Sequence, residues 1–342
     1  MNDLPLEIDI RILYFIDINQ YPVLYYMLKS ELPYFFNCPP KRKQLNDLLR
    51  WATKKENIEI CYLAKKWGAN NYNVMLYEAA ENNYKHLCYL AKKWGANDFN
   101  GMLFKAALGK HKYLCYLAKK WGANNFNGIL YGAAISGCRE LCELAKIWGA
   151  SDFDQMLRYA AEFGHEQLCR LAKKWGATNF NEMIFYTAKG GYKHLCYLAK
   201  KWGTNNFNAM LHGAAEGGYE DLCRLAKELG ANEFDWMIYK AGLSGNSKVC
   251  YLAKEWGATE FNGMLYNSTL NGHKHLCYLA KEWGANNFNT MLYVAARENH
   301  TDLCYLAKEW GATDFNKMLY IATLHGHEHL CQLAKEWGAI DF

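Results

Sequence analysis

Proline is scarce in this 342-residue chain: there are five prolines, and all of them precede residue 41. Because proline breaks the interior of a helix, its absence from residues 41–342 permits an uninterrupted series of helices there. Long apolar runs are also lacking, since none approaches the roughly 18 residues that a membrane-spanning helix needs. Near the amino terminus Asp3, Glu7 and Asp9 interrupt the apolar residues, so no signal peptide is expected. These absences predict a soluble, cytoplasmic protein with no membrane association.

The 13 cysteines lack the patterns typical of zinc sites and of disulfides. No two are spaced as Cys-x-x-Cys, which argues against zinc. If each repeat contributes one equivalent helix to a stack, neighbouring cysteines lie about 8–10 Å apart, beyond the ~7 Å Cα separation that a disulfide allows. They are therefore expected to be reduced core residues of a cytosolic protein. Eleven of the cysteines recur every 27 residues, at positions 61, 88, 115, 142, 169, 196, 223, 250, 277, 304 and 331.

These cysteines belong to a motif, Leu-Cys-x-Leu-Ala-Lys-x-Trp-Gly-Ala, that recurs with the same 27-residue period. A fixed period of this size is typical of a solenoid, in which each repeat buries its apolar face by stacking on its neighbours. The sequence therefore predicts an all-α helical solenoid of eleven helix-turn-helix repeats over residues 46–342, preceded by a helical N-terminal cap over residues 1–45.

The first helix of a repeat, called A, is expected to begin at an Asn or Asp. In the second repeat this residue is Asn73, whose side chain is predicted to be the N-cap. Tyr72 precedes it and Tyr77 follows at the fourth helical position, as in a hydrophobic staple. Arg158 and His212 interrupt the pattern at the position of Tyr77. The residues equivalent to Asn73 are at 46, 100, 127, 154, 181, 208, 235, 262, 289 and 316.

The second helix, called B, carries one apolar stripe. Leu87, Leu90, Ala91 and Trp94 are spaced i, i+3, i+4 and i+7, so they share a helix face. Gly95 is predicted to end the helix in a left-handed conformation. The few residues before the next helix A leave room for a short loop only.

These residues carry a family resemblance. Residues 75–80 (MLYEAA) followed by residues 87–96 (LCYLAKKWGA) resemble the ankyrin repeat, and Gly272-His273 is similar to the Gly-His turn of that family. The repeats here lack the Thr-Pro helix start and are six residues shorter, at the place where the ankyrin hairpin finger would project. The resemblance implies a helical stack that binds proteins through the concave surface lined by helix A, without fingers.

Variation between the repeats is concentrated on helix A. It falls at the positions of Val74, Glu78 and Glu81, whose spacing of i, i+4 and i+7 predicts one exposed stripe. Large aromatic residues in this stripe favour a protein-binding surface, although solvent-facing positions also vary without any function. The residues predicted to contact a protein partner are Glu78, Lys105, Leu108, Ile135, Tyr159, Phe163, Tyr186, Lys189, Trp236, Lys240 and Leu243.

Residues 4–36 do not follow the period. Their opening Leu-Pro-x-Glu and the apolar helices after it resemble an F-box, which implies docking to a linker protein of a ubiquitin ligase; the alternative is a cap that covers the first repeat. With this segment, the repeat array of this chain resembles those of proteins from large DNA viruses. The resemblance implies that the protein is located in the cytoplasm of a host cell. The F-box-like residues are Leu4, Pro5, Glu7, Ile8, Ile12, Leu13 and Ile16.

The exposed side of helix B combines lysine with tyrosine, as at Lys85, Tyr89 and Lys92. Such a pattern can follow a nucleic-acid backbone. However, residues 61–206 contain 20 basic and 10 acidic side chains, a net charge of +10, whereas residues 207–342 contain 11 and 16, a net charge of −5. A nucleic-acid track would not reverse its sign, so these lysines are interpreted as a solvated helix face and no nucleic-acid partner is expected.

The histidines give little indication of a metal site. His325, His327 and His329 fall within five residues, but histidines recur at the turn of other repeats, so neither a metal nor another cofactor is expected. No nucleophile–base pair or phosphate-binding loop stands outside the repeat pattern. The sequence therefore predicts a protein that is not an enzyme.

The last repeat has no polar capping repeat after it in this sequence. Its helix B is predicted to leave Leu330, Leu333 and Trp337 on an open apolar face. Such a face is typical of end-to-end contacts, so a homo-oligomer formed through this end, or a partner that covers it, is expected.

Overall fold

The computed structural model describes residues 42–340, except for the Gln44 side chain. The F-box-like residues 4–36 lie outside the described residues, so their assignment stays a prediction. Between residues 42 and 340 the chain forms 22 α-helices and no strand. The predicted all-helical repeat fold is confirmed.

The described helices form two compact units, which meet in the sequence between Ser151 and Asp152. The first unit contains α1 to α8: Arg42–Lys54, Ile58–Lys66, Tyr72–Glu81, Lys85–Trp94, Phe99–Leu108, Lys112–Lys120, Phe126–Ser136 and Arg139–Ile147. The second unit contains α9 to α22: Phe153–Glu162, Glu166–Trp175, Phe180–Lys189, Lys193–Lys201, Phe207–Gly217, Glu220–Glu228, Phe234–Ser244, Ser247–Glu255, Phe261–Leu270, Lys274–Glu282, Phe288–Arg297, Thr301–Glu309, Phe315–His325 and Glu328–Glu336.

Odd-numbered helices are the A helices and even-numbered helices are the B helices of successive repeats. Within each unit, every A helix packs against the B helix of its own repeat and against the A helix of the next repeat. Each unit is therefore a stack whose contacts run between neighbouring repeats. Helix α1 begins at Arg42, ahead of the predicted start of the array at residue 46.

Helix A begins earlier than the sequence predicted. In α3 the N-cap is Asn71, whose side-chain oxygen accepts a hydrogen bond from the Val74 N–H at 3.3 Å. The predicted N-cap, Asn73, already lies inside the helix, so that prediction is wrong. The predicted staple is wrong for the same reason, since Tyr72 is the first helical residue and its ring packs edge-on against Trp94, 5.6 Å away.

Asn73 has a different structural role, which we call the loop clamp. Its side-chain oxygen accepts hydrogen bonds from the backbone N–H groups of Asn97 and Asp98, at 2.9 and 3.0 Å, in the loop that leads to the next helix A. These N–H groups would otherwise lack a protein acceptor. Only a short side chain with an acceptor oxygen can form both bonds, which explains why Asn or Asp recurs here. The same contact is formed by Asn46, Asn100, Asp154, Asn208, Asp235, Asn262 and Asn289.

The core of each repeat lies between its two helices. Met75 and Leu76 from helix A and Leu87 and Cys88 from helix B have no exposed surface. Burial raises the pKa of the Cys88 thiol to about 12, so this thiol is protonated near pH 7. Gly95, with φ of 116°, ends helix B in the left-handed conformation that glycine adopts without strain. The predicted reduced core cysteine and the predicted helix end are both confirmed.

The lysine that recurs in helix B is exposed at Lys92, as interpreted from the sequence, but it also has a contact that the sequence did not predict. The Lys92 ammonium lies 4.4 Å from the ring centroid of Trp121 in the next repeat. The same indole contacts Tyr89 and Phe99 edge-on, with centroids 5.2 and 5.5 Å away. Because an ammonium over an aromatic face is attracted by the ring quadrupole, each such lysine stabilises the junction between two repeats. Repeat 7 differs, since Leu229 occupies the tryptophan position.

Candidate binding surface of the A helices

The A helices approach one another closely, which decides the exposure of the predicted stripe. A Cβ atom built on Gly132 would lie 2.6 Å from the carbonyl oxygen of Phe104 in the preceding A helix, so only glycine fits there. Gly132 occupies the position equivalent to Glu78. Residues at this position therefore lie between two helices, and the predicted exposure is wrong for Glu78, Asn267, Val294 and Ile321, which are buried.

In the first unit the charges of this surface are paired between helices. Glu78 is 6% exposed and lies 2.6 Å from Arg50 and 3.7 Å from Lys54, both on α1. Lys105 on α5 lies 2.8 Å from Glu81 on α3. Such pairs link neighbouring A helices. Of the other predicted contact residues in this unit, Leu108 and Ile135 are half-buried.

In the second unit an arginine lies among aromatic rings. The Arg158 guanidinium is 4.5 Å from the ring centroid of Tyr186 and 5.2 Å from that of Tyr159. Its Nε atom is buried without a hydrogen-bond partner in the described residues and lies 3.6 Å from Glu182. Arg158 thus fixes both tyrosines against the A-helix surface. Phe163, at the C-cap of the same helix, stays 45% exposed.

Three consecutive A helices meet at Glu216. One oxygen of its carboxylate lies 2.8 Å from Lys189 on α11, and the other lies 2.9 Å from Lys240 on α15. Burial alone would raise the pKa of Glu216, but the hydrogen bonds from both lysines outweigh it and lower that pKa. The hydrogen bond to Glu216 also raises the pKa of Lys189. Glu216 and Lys189 are therefore both charged near pH 7, and the two oxygens of the carboxylate hold Lys189 and Lys240 in place.

Trp236 lies beside this ion-pair cluster. It is one helical turn before Lys240 on α15 and is 55% exposed. Its ring lies 5.3 Å from Tyr239 and 6.2 Å from His212, which restricts its orientation. Burial lowers the pKa of His212, so this ring is neutral near pH 7; its Nε2 lies 3.1 Å from Glu233. We call Lys189, His212, Glu216, Trp236 and Lys240 the Trp236 surface.

The structure brings together only some of the predicted contact residues. Lys189, Trp236 and Lys240 share the Trp236 surface, and Tyr159 and Tyr186 share the contact with Arg158. Leu243 is half-buried on α15. The prediction omitted Glu216, Arg158 and His212. Arg158 and His212 were recognisable in the sequence, because they are neither tyrosine nor phenylalanine at the position of Tyr77, but their partners on neighbouring helices were not.

The turn histidines contact the backbone of the preceding repeat. His273 donates from Nε2 to the Leu243 carbonyl at 3.1 Å, and His327 donates to the Arg297 carbonyl at 3.1 Å. His111 forms the equivalent bond to the Glu81 carbonyl at 2.9 Å. Their recurrence at the turn therefore has a structural explanation, since each ring links two repeats.

The residues predicted to form an open apolar end are mostly covered. Leu330 has no exposed surface and Leu333 is 7% exposed, because both face α21 in their own repeat. Trp337 is half-buried beneath the Lys308 ammonium, 4.4 Å from its ring, and beside Tyr305. The prediction that these three residues form an exposed face is wrong.

None of the helices in the described residues is long and apolar enough to cross a membrane.

No protein-family model matches this chain, and the search of curated proteins finds no match.

Proposed function

We propose that this protein is a non-catalytic scaffold that binds another protein through its A helices, with the Trp236 surface as the main contact. The observation that supports this most is the exposed indole of Trp236 beside a set of charges that pair with one another. Tryptophan is among the residues that most often dominate binding energy in protein interfaces.

The pairing at Glu216 prepares this surface for contact. A charged group that loses water without a partner is strongly unfavourable in an interface. Lys189 and Lys240 already share the two oxygens of Glu216, so a partner can cover them while their charges remain compensated. The helices hold these side chains in fixed positions, which lowers the entropy lost on binding. The resemblance of the repeats to ankyrin repeats points to the same helices.

The proposal contains no chemical step. The Cys88 thiol is buried and protonated near pH 7, so it is not available as a nucleophile. The neutral His212 contacts Glu233 and Trp236, and the charge of Lys240 also acts on it. All of these groups belong to the scaffold itself. These residues act by positioning the surface.

The test is selection of peptides from a random display library on the full chain, followed by affinity measurements on variants. We expect Trp236→Ala to weaken the selected peptides by about 2 kcal/mol, roughly thirtyfold in Kd. Tyr320→Ala is the matched control, because Tyr320 is an A-helix aromatic residue that is 59% exposed but lies outside this surface.

Equal affinity of the selected peptides for the wild-type chain and Trp236→Ala, or an equal loss in Tyr320→Ala, would contradict the proposal. Circular dichroism and urea unfolding of both variants establish that the helical content is unchanged. Since both side chains are exposed, little loss of stability is expected from either substitution.

A further inference from the structure

The outer side of the first unit carries a concentration of lysine that the A-helix surface does not explain. Residues 82–126 contain eight lysines and a single acidic residue, Asp98. Six of these lysines are exposed on helices α4 and α6, and we call them the basic face. They are Lys85, Lys92 and Lys93 on α4, and Lys112, Lys119 and Lys120 on α6.

Few carboxylates compensate the basic face. Asp98 caps α5 and accepts the Tyr77 hydroxyl, so it is engaged elsewhere. Of the six lysines, Lys112 is the one that has an ion-pair partner among the described residues, with Glu140 at 3.9 Å. Because exposed pairs of this length are worth little, most of the positive charge remains available to a partner.

Contacts between α4 and α6 show that the lysines form one surface. The Lys85 ammonium lies 4.6 Å from the ring centroid of Tyr113, and Lys92 covers Trp121. Tyr89 contacts Trp121 edge-on. Neighbouring B helices thus share lysines and tyrosines across the junction between their repeats.

The tyrosines of this face are poorly suited to stack on nucleic-acid bases. Tyr89 and Tyr116 are each held edge-on against a tryptophan, at 5.2 and 5.1 Å, and Lys85 covers Tyr113. Binding of single strands depends on aromatic faces that are open to bases as well as on positive charge. The basic face offers flexible ammonium groups and phenol hydroxyls, which match carboxylates.

Helices of the second unit show that a lysine at the position of Lys93 is not needed for folding. Helix α16 carries Tyr251 and Lys254 in the same places as Tyr89 and Lys92, and the tyrosine again packs against a tryptophan. At the position of Lys93, however, α16 has Glu255. Glutamate also occupies this position at Glu282, Glu309 and Glu336. The helix therefore accepts either charge at this position.

We propose that the basic face of α4 and α6 binds an acidic, extended segment of a partner protein. Charge complementarity selects a chain rich in Asp and Glu, whose flexible carboxylates can reach ammonium groups on two adjacent helices. This interaction is separate from the Trp236 surface, which lies in the other unit.

The test is fluorescence anisotropy of the full chain with a labelled peptide of alternating Glu and Gly, about 20 residues long, at about 0.1 M salt. The variant Lys93→Glu with Lys120→Glu copies the residue found at the same position in α16. We expect it to raise the Kd about tenfold or more, and we expect added salt to weaken binding to the wild-type chain.

A charge-matched control separates the basic face from net charge. Lys55→Glu with Lys248→Glu changes the net charge by the same amount at exposed positions outside the face, and we expect it to change the Kd by less than about twofold. An equal loss in both variants, or no binding to the wild-type chain, would overturn the proposal. So would tighter binding of a labelled oligothymidylate of equal length, since this would identify a nucleic-acid face.

Discussion

The loop clamp allows a direct test of the difference between the predicted and observed roles of Asn73. Asn73→Ala removes the oxygen that accepts hydrogen bonds from Asn97 and Asp98, at 2.9 and 3.0 Å. A net contribution of about 0.5–1.5 kcal/mol for each of the two bonds gives a loss of about 1–3 kcal/mol in the free energy of unfolding. The lower half of this range is favoured because one bond is solvent-exposed, so water can replace the lost acceptor.

The assay combines urea unfolding with amide hydrogen exchange, since exchange reports the loop itself. In Asn73→Ala we expect faster exchange at Asn97 and Asp98, and a lower urea midpoint. Asn73→Asp retains the acceptor, as Asp154 and Asp235 do in other repeats, and should behave nearly as wild type.

Asn71→Ala is the second comparison, because Asn71 is the actual N-cap of α3. We expect it to lower the free energy of unfolding by about 1 kcal/mol without faster exchange at Asn97. If Asn73→Asp were as destabilising as Asn73→Ala, or if exchange at Asn97 were unchanged in Asn73→Ala, the clamp would not have the role assigned to it.

Two further changes test the contacts between repeats. Trp121→Leu copies the natural Leu229, and we expect loss of the contact with Lys92 to lower the urea midpoint. About 0.5–1 kcal/mol of the loss should come from the cation–π contact itself. Trp121→Phe keeps an aromatic ring and should therefore lose less stability. Burial lowers the pKa of His212, so the unfolded chain binds the proton more readily and stability falls as pH drops below about 6.5. His212→Tyr removes this group and can donate to Glu233, so it should flatten stability between pH 7 and 5; an unchanged pH dependence would contradict the assignment.

The repeat pattern was sufficient to predict the helices but not their contacts. The left-handed Gly95 and the buried Cys88 follow from periodicity and local backbone chemistry, which act within one repeat. The role of Asn73 did not follow, because an N-cap and a loop clamp require the same acceptor oxygen. Asn71 and Asn73 both have a side chain that suits an N-cap, and the repeat pattern is the same whichever of them caps the helix.

The candidate surface was predicted less well, for a geometric reason. Spacing along one helix identifies which residues share a face, but it does not give the distance to the next helix. Glu78 is buried because its neighbouring helix lies close, whereas Trp236, in the same predicted stripe, remains exposed. The sequence also gave no indication that the chain divides into two units between Ser151 and Asp152, because the 27-residue period continues through this point.

The loop clamp also constrains how such a gene can change in length. Each clamp joins residues 24 or 25 apart, and none skips a repeat. Tandem duplication or deletion of 27 codons within a unit therefore leaves every clamp with an equivalent partner. An insertion of any other length between Asn208 and Asn232 would separate a donor from its acceptor. Recombination between repeats in register can thus lengthen or shorten the array and still produce a chain that folds.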